Sequence, residues 1–412
     1  MRSKARRVNT GTANCIAFRP LGGLILAACC VAAIPPSASA ADLYTGNPWL
    51  RFLDAANPYA TVQYGYDSNV LRLDSDVQSP ESGSDQYTLL AAGFDTDVQL
   101  SQQRFELNAR VSRQNFRRFD DLDYTGSKVA AIWHWSLGTA STGTLGYRHL
   151  RALRDFANQF NTTRVKDIRS EDHIIASGDV DVASHWRVGA RTDLGSTTLK
   201  VSPGLDVQRV IAGTTVSYVS TAGNTVGLDL QLNRSDFYHN NAANFTETAF
   251  GPVMTWQLTA SSQLVANLDY SSRNYQDAAR PSYHDVTGRV TLKVADAGNA
   301  QVNATVWRDL SNLGDEVADY ALIHGIGVEP RWQITPRLEL RLNASYENRD
   351  FKVSPKDQGR KDKVWTAGAF GEWAIGRNIK LSLGVQGERR SSTRALQDYH
   401  VGAFQLQVTG SI

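Results

Sequence analysis

His134 and Ser136 are the side chains best suited to covalent chemistry, because a histidine beside a serine hydroxyl can act as its general base. They stand in the stretch Trp133-His134-Trp135-Ser136. A serine activated in this way attacks esters, including the esters of lipids. Two pairs of neighbouring carboxylates, at 120–121 and 179–181, offer ligands for Ca²⁺ or an acid and base for work on a glycan.

Other chemical motifs are missing from the sequence. The eight histidines are scattered, and the sequence holds no metal-ligand cluster, no phosphate-binding glycine loop and no hydrolase elbow. All three cysteines lie within the first forty residues, so the rest of the chain has no thiol and no disulfide. We therefore predict neither a metal nor a cofactor.

A larger set of charged residues alternates with apolar ones along the chain. Eleven acidic and eleven basic side chains take this position, so their charges nearly cancel. We predict that the following members line a water-filled pore: Arg110, Arg148, Asp179, Asp181, Arg187, Arg191, Asp229, Asp269, Arg273, Arg289, Lys293, Glu339, Arg341, Glu347 and Arg349. A balanced wall of this kind predicts weak ion selectivity, whereas a conduit for an anionic polymer would carry an excess of cations.

The elements that position these residues have a two-residue period. In Leu338 to Glu347, for example, leucine, alanine and tyrosine alternate with Glu339, Arg341, Asn343, Ser345 and Glu347. This alternation indicates β-strands, and we count eighteen, the first at 59–73, the seventh at 186–194 and the last at 398–412. Pro252 interrupts the apolar face of one strand, and we expect a bulge there.

Alternation alone also fits a soluble sandwich, but three further features favour a membrane barrel. Connections alternate between short and long, as they do between the two sides of an outer-membrane barrel. Six of the nine tryptophans lie within about five residues of a short turn, as in an aromatic girdle. The hairpins also resemble one another with a period of about forty residues.

The lipid and water sides follow from the physics of the bilayer. Hydrocarbon offers no hydrogen bonds, so only helices or closed barrels span it, and helical patterns are missing from the sequence. We therefore predict an all-β fold, a transmembrane antiparallel barrel of about 18 strands over 59–412. Its apolar faces meet lipid and its polar faces a lumen too wide for side chains to fill.

The N-terminus reads as a targeting segment. Arg2, Lys4, Arg6, Arg7 and Arg19 precede the apolar run Leu21 to Ile34 and the cleavage-site pattern Ala38-Ser39-Ala40. We predict a cleaved signal peptide at 1–40 and a periplasmic segment at 41–58, which either folds into the lumen or docks a partner. Lipidation at Cys29 is the alternative to cleavage after Ala40. Without the first forty residues the chain has a formal charge of −3, which does not indicate a nucleic-acid partner.

The predicted topology bears on the roles of two groups of residues. The His134 and Ser136 pair lies beside the turn at Gly138, on the periplasmic side, with His134 on the polar face, so we predict that the chain is not an enzyme. Arg113, Arg234 and Arg308 end strands on the apolar face. They either bind lipopolysaccharide phosphate or stand above the membrane.

The stretch Tyr66-Asp67-Ser68-Asn69 and the repeated strand ends of the Arg154-Asp155-Phe156 type resemble the EpsL-type outer-membrane barrels of exopolysaccharide operons, part of a wider group of β-barrel porins. The C-terminal Ile412 departs from the terminal Phe or Trp common in such barrels. The resemblance implies export of an exopolysaccharide or capsular polysaccharide with periplasmic export proteins as partners, and it implies no catalytic residues.

Two other functions stay open at this point. One is a general diffusion porin for small solutes, and the other is a barrel enzyme acting on lipid or glycan. Conductance alone does not separate export from diffusion, because both require an open lumen.

Overall fold

The computed structural model describes residues 55–74, 83–159, 164–295, 299–312, 318–352 and 359–411. The predicted signal peptide at 1–40 with Cys29, the larger part of the predicted segment at 41–58, and Ile412 lie outside these residues.

Eighteen strands follow one another along the chain. Their bounds are β1 Asn57–Asp67, β2 Asp85–Leu100, β3 Gln103–Phe116, β4 Tyr124–Leu137, β5 Ser141–Leu153, β6 Ile168–Ala183, β7 Trp186–Leu199, β8 Val207–Val219, β9 Thr225–Phe237, β10 Phe245–Thr259, β11 Ser262–Tyr275, β12 Tyr283–Ala295, β13 Ala300–Ser311, β14 Tyr320–Thr335, β15 Leu338–Lys352, β16 Lys361–Ala374, β17 Ile379–Ser392 and β18 Tyr399–Ser411. The prediction of an all-β chain with eighteen strands is confirmed.

The sheet closes on itself into a barrel. Every strand pairs antiparallel with the next, and β1 pairs with both β2 and β18, from Tyr59 opposite Ser411 to Asp67 opposite Ala403. Closure leaves no strand edge, so every strand has two hydrogen-bonded neighbours, as a bilayer requires.

The apolar faces of the strands point away from the barrel axis. On β9, Leu228, Leu230 and Leu232 are 53%, 39% and 50% exposed, whereas the alternate residues Asp229 and Asn233 are 8% and 1% exposed. A soluble sandwich would show the opposite arrangement, because it buries its leucines. The exposed apolar rows form the belt that lipid covers.

Aromatic side chains rim this belt at both ends. Near the short turns, outward-facing tryptophans are about half exposed: Trp186, Trp256, Trp332 and Trp373. A second group lies towards the long loops, where Tyr270 is exposed and Tyr346 packs on Trp365 with ring centroids 4.3 Å apart. The sequence pattern predicted the first girdle only. Two girdles match the two interfaces of a bilayer.

Connections differ between the two ends of the barrel. The short turns lie at 101–102, 138–140, 184–185, 260–261 and 336–337, and Gly138 adopts a φ of 63° in the second of these. The other end carries the longer loops, whose described residues include the short 3₁₀ helices Asp120–Leu122, Phe156–Asn158, Pro203–Leu205 and Asn241–Ala243. Within the described part of the chain, no helix is long and apolar enough to cross a bilayer.

The bulge expected at Pro252 is not formed. Pro252 pairs with Leu228 of β9 in unbroken register, and the β10–β11 ladder keeps the same register on both sides, with Phe250 opposite Tyr270 and Val253 opposite Asn267. At this point residues 251 and 252 drop out of pairing with β11, and the register of that ladder shifts only near the short turn, between Gln257 and Thr259. The missing donor thus costs a local gap in one ladder and does not shift the strand.

Candidate functional site

All fifteen side chains predicted to line the pore lie on the strand face opposite the exposed apolar rows. They are Arg110 of β3, Arg148 of β5, Asp179 and Asp181 of β6, Arg187 and Arg191 of β7, Asp229 of β9, Asp269 and Arg273 of β11, Arg289 and Lys293 of β12, and Glu339, Arg341, Glu347 and Arg349 of β15. This face encloses the lumen.

Many of these side chains form ion pairs with an inward neighbour on an adjacent strand. Arg187 binds Asp181 through Nε at 2.7 Å and Nη2 at 3.1 Å, and both side chains are about 40% exposed. Arg289 of β12 binds Asp309 of β13 at 2.5 Å. A fork-shaped contact between guanidinium and carboxylate holds both groups along the wall, so the wall presents mixed charge.

The Arg191 cluster is the most connected part of the wall. Arg191 of β7 donates two hydrogen bonds, of 2.5 and 2.6 Å, to the Asp229 carboxylate of β9, across the intervening strand β8. Thr215 of β8 donates to the same carboxylate at 2.5 Å, and Gln231 accepts from Arg191 at 3.1 Å. Arg191 nevertheless keeps 39% of its side chain exposed, so a passing solute can contact it.

A second cluster lies nearer the short turns on β14 to β17. Glu339 binds Arg331 at 2.6 Å and Arg341 at 3.1 Å, and Glu372 lies 3.8 Å from Arg341 and 3.6 Å from Lys380. Three cations and two carboxylates thus lie together in this cluster.

Near the loops the lumen face is closed by buried ion pairs. Arg273 is 0% exposed, with Nη2 2.6 Å from Glu247 and its guanidinium 4.1 Å from the Phe245 ring centre. Arg390 of β17 lies 2.9 Å from Asp362 of β16, and both are almost fully enclosed. Arg273 lies on the lumen face of β11, as predicted, but no part of it is accessible to a solute. It instead links β11 to Glu247 of β10 and to Asn312 after β13.

The described residues of the connection between β5 and β6, at 154–159 and 164–167, include contacts with inward side chains of distant strands. The guanidinium of Arg390, an inward side chain of β17, donates to the carbonyl of Ala157 at 2.5 Å. Ala157 also packs with Tyr399 and Val401 of β18, and Phe156 packs with Val70. Around the barrel, β1 to β4 separate β5 from β18 and β17, so a residue next to β5 that contacts inward side chains of β17 and β18 lies across part of the mouth. The described residues of the connection therefore narrow the mouth.

The Tyr66-Asp67-Ser68-Asn69 stretch closes the barrel at this end. Ser68 N donates to Gly402 O of β18 at 3.0 Å, and Gly402 N donates to Ser68 Oγ at 2.8 Å. Asn69 is 1% exposed, accepts from Leu73 N at 2.9 Å and donates to Leu73 O at 2.8 Å. The motif thus ends β1 at Asp67, several residues before the predicted end at 73, and fastens it to β18.

His134 and Ser136 do not form a catalytic pair. His134 faces the lumen, with Nε2 3.3 Å from Glu106 and Nδ1 3.3 Å from Thr144. The Ser136 hydroxyl donates to the Gly138 carbonyl at 3.2 Å instead. In the ranges that the structure describes, no three His, Cys, Asp or Glu side chains are grouped to hold a metal ion.

The three outward arginines at strand ends pair with aspartates near the loops. Arg234 binds Asp236 at 2.8 Å, Arg113 lies 3.4 Å from Asp123, and Arg308 contacts Asp285. Arg113 and Arg234 keep half or more of their side chains exposed, so each retains donors for a further anion.

Sequence reasoning missed the partners of the inward charges and the inward fold of the 154–167 connection. Parity along one strand predicts the face of each residue, but the ion pairs depend on the register between strands. The Arg154-Asp155-Phe156 pattern was the one sequence feature that marked this connection. In the structure, Phe156 is buried and Asp155 Oδ1 accepts from Ala157 N at 3.0 Å.

Comparison with known proteins agrees with this architecture. Residues 214–411, from β8 to β18, match a family model described as "Putative beta-barrel porin 2". A comparison with curated proteins found no match.

Several solved structures align with this chain at low sequence identity. OccK2 (OpdF) of Pseudomonas aeruginosa aligns with a TM-score of 0.50 at 10% identity, over 88% of this chain and 99% of that chain. OpdK of the same organism aligns at 0.48 and 11%, over 87% and 100%, and OccAB3 of Acinetobacter baumannii at 0.47 and 8%, over 87% and 99%. The chain is a porin-like barrel of the bacterial outer membrane.

Proposed function

We propose that the barrel is a channel through which small polar solutes diffuse across the outer membrane. The observation that carries this proposal is the inward wall of exposed, oppositely charged pairs, such as Arg187 with Asp181 and Arg191 with Asp229. Eighteen strands make a cylinder too wide for its own side chains to fill, so water occupies the space between these pairs.

The inward charges other than the buried Arg273 would act as the pore lining. A solute that leaves bulk water loses hydration, and paired charges replace some of the lost hydrogen bonds without strongly attracting either sign. The described part of the connection between β5 and β6 would set the narrowest passage, because Ala157 contacts inward residues of β17 and β18 at the loop end of this wall.

Conductance of the purified barrel in a planar bilayer tests the channel. We expect discrete current steps that are close to ohmic, with a reversal potential near zero under a salt gradient. Liposomes that contain the barrel should also swell in small sugars and not in large ones. A folded barrel that carries no current and admits no sugar would contradict the channel.

Polysaccharide export is the second candidate, and the resemblance of the Tyr66–Asn69 stretch is what favours it. The near balance of inward charge favours the small-solute channel instead, because an anionic polymer calls for a cationic wall. Deletion of the gene separates the two. Unchanged surface polysaccharide with reduced small-solute uptake supports diffusion, and loss of polysaccharide with unchanged uptake supports export.

Lipopolysaccharide is the partner that we propose for the outer wall. The outward arginines Arg113 and Arg234 would bind its phosphates at the loop-end interface, and their exposure supports this proposal. Periplasmic export proteins are expected as partners only if export is the function.

A further inference from the structure

Three neighbouring strands bring Ser127, His149 and Asp172 into one chain of hydrogen bonds. Ser127 Oγ of β4 lies 3.1 Å from His149 Nε2 of β5, and His149 Nδ1 lies 2.9 Å from Asp172 Oδ1 of β6. The serine contacts one ring nitrogen and the aspartate contacts the other. This is the arrangement by which a serine nucleophile, its general base and an orienting carboxylate are recognised on unrelated folds.

The hydrogen bonds are those of the neutral His149 tautomer that such a site needs. A carboxylate can only accept, so Nδ1 carries the imidazole proton and donates it to Asp172. Nε2 is then the acceptor, and the Ser127 hydroxyl donates to it. Tyr147 Oη also donates to Asp172 Oδ1, at 2.6 Å, which fixes the carboxylate further.

The three side chains lie on the lipid-facing side of the barrel. Ser127 shares its strand face with Leu137, His149 with Tyr147, and Asp172 with Ile174, all of which are exposed large apolar side chains. The triad lies at the loop end of these strands, where the apolar rows stop. It therefore sits at the level where headgroups meet acyl chains. His149 and Asp172 keep 25% and 46% of their side chains exposed.

Cationic donors flank the hydroxyl. Arg151 stands directly opposite Ser127 in the β4–β5 ladder, a position that sets the two Cβ atoms about 4.5–5.5 Å apart. Its side chain is exposed, and Nη1 donates to the carbonyl of Thr125 at 3.1 Å. Arg113 of β3 stands opposite Thr125 and is also exposed. These guanidinium groups can stabilise an oxyanion or bind a phosphate.

We propose that Ser127, His149 and Asp172 form an esterase site on the outer wall of the barrel, with acyl esters of membrane lipids as substrates. This activity is additional to the channel and does not depend on it. An ester bond at the interface between headgroup and chain lies at the depth of the triad. A soluble ester would have to reach a face that lipid covers.

The reaction needs only the ester and water. Ser127 Oγ attacks the ester carbonyl while its proton passes to His149 Nε2, and Arg151 faces the resulting oxyanion. The bond from carbon to the leaving oxygen breaks, and His149 returns the proton to the released alcohol. Water then attacks the acyl-serine, gives one proton to His149 and releases the fatty acid, and Ser127 regains its proton.

Active-site labelling tests the nucleophile on the folded, full-length barrel. A fluorophosphonate probe should label the wild-type protein in detergent, and mass spectrometry should place the label on Ser127. Labelling should be lost in Ser127→Ala and His149→Gln. Ser136→Ala is the matched control, because that serine lies at the other end of β4 and its hydroxyl donates to the Gly138 carbonyl of its own turn. Equal labelling of Ser127→Ala and wild type would overturn the proposal.

Fatty-acid release identifies the substrate. Detergent micelles that contain phosphatidylethanolamine form one arm and lipopolysaccharide the other, since both carry acyl esters. Release from either lipid that is abolished in Ser127→Ala supports the site and identifies the source. Asp172→Asn, a change in the positioning residue, should lower kcat by about 10⁴-fold with little change in KM. Release from neither lipid by a barrel that remains folded would overturn the proposal.

Discussion

Many inward arginines in this barrel form ion pairs with carboxylates of nearby strands. The net charge that a passing ion meets is therefore the sum over each pair and not the charge of the arginine alone. Arg191 is the clearest case, because it binds Asp229 through two nitrogens and faces the lumen with 39% of its side chain exposed. Asp269 of β11 lies on the same face and adds negative charge nearby. Removing the guanidinium therefore leaves two acids facing the water.

Arg191→Gln should make the channel cation-selective. The neutral amide keeps a hydrogen-bonding group but leaves the Asp229 carboxylate uncompensated. The reversal potential under a tenfold KCl gradient measures the change. Asp229→Asn is the matched control and should shift the potential in the opposite direction. Identical potentials for both variants and the wild type would mean that ions do not pass this part of the wall.

Buried and exposed pairs should contribute differently to stability. Asp362 is 0% exposed, accepts from Ser392 Oγ at 2.6 Å and lies 2.9 Å from Arg390. Asp362→Ala leaves a buried cation without its partner, which costs about 3–5 kcal/mol in the free energy of unfolding.

Urea unfolding of the barrel in lipid measures this cost. Asp181→Ala is the control, because its pair with Arg187 is about 40% exposed on both sides and is screened by water, so its loss should change the free energy of unfolding far less. Equal losses in the two variants would contradict the difference in burial.

Sequence reasoning found the face of the charged residues but did not find the contact between His149 and Ser127. It considered only a histidine and a serine two residues apart in one strand, His134 and Ser136, and it rejected a catalytic role for that pair. In the structure, a histidine reaches a serine on the next strand, where Val129 stands opposite His149 and Ser127 is one step along the same face. Register between strands decides such contacts, and alternation within one strand carries no information about register.

At the level of elements, the two-residue period was sufficient to count and place the strands. It failed where local side-chain chemistry ends a strand. Asp67 accepts from Asn69 N at 2.8 Å and from Arg72 at 2.9 Å, and these bonds turn the chain away after Asp67. The seventh strand instead continues to Leu199, because residues to Leu199 stay paired with β6. Hydrophobic alternation does not report either event.

The connection between β5 and β6 should control the width of the mouth. Replacing residues 155–166 with a short Gly-Ser linker removes the contacts of Phe156 and Ala157 and leaves both strands intact, because β5 ends at Leu153 and β6 begins at Ile168. We expect a larger single-channel conductance and uptake of larger sugars.

Shortening the connection at 238–244 between β9 and β10 provides the comparison, since Phe237, Ala243 and Phe245 pack together beside their own strands. It should leave conductance unchanged. An unchanged conductance after replacement of 155–166 would show that the narrowest passage lies elsewhere.

For the whole molecule, the solvent on each side of the wall follows from the exposed apolar belt and its two aromatic girdles. The sequence predicted the belt because the strand period is two, and it predicted closure because an open sheet cannot stand in hydrocarbon. It did not predict how the mouth is narrowed. That depends on contacts between residues as far apart as Ala157 and Arg390, which no local pattern contains.

Thiol labelling tests the lipid and water sides most directly, because all the native cysteines lie at positions 15, 29 and 30, ahead of the barrel. Single-cysteine variants at neighbouring positions, Leu230→Cys with Gln231→Cys on β9 and Leu342→Cys with Asn343→Cys on β15, are placed in liposomes and treated with a charged, water-soluble maleimide. We expect rapid labelling at positions 231 and 343, which face water, and protection at positions 230 and 342, which face lipid. Rapid labelling at 230 and 342, with protection at 231 and 343, would contradict this expectation.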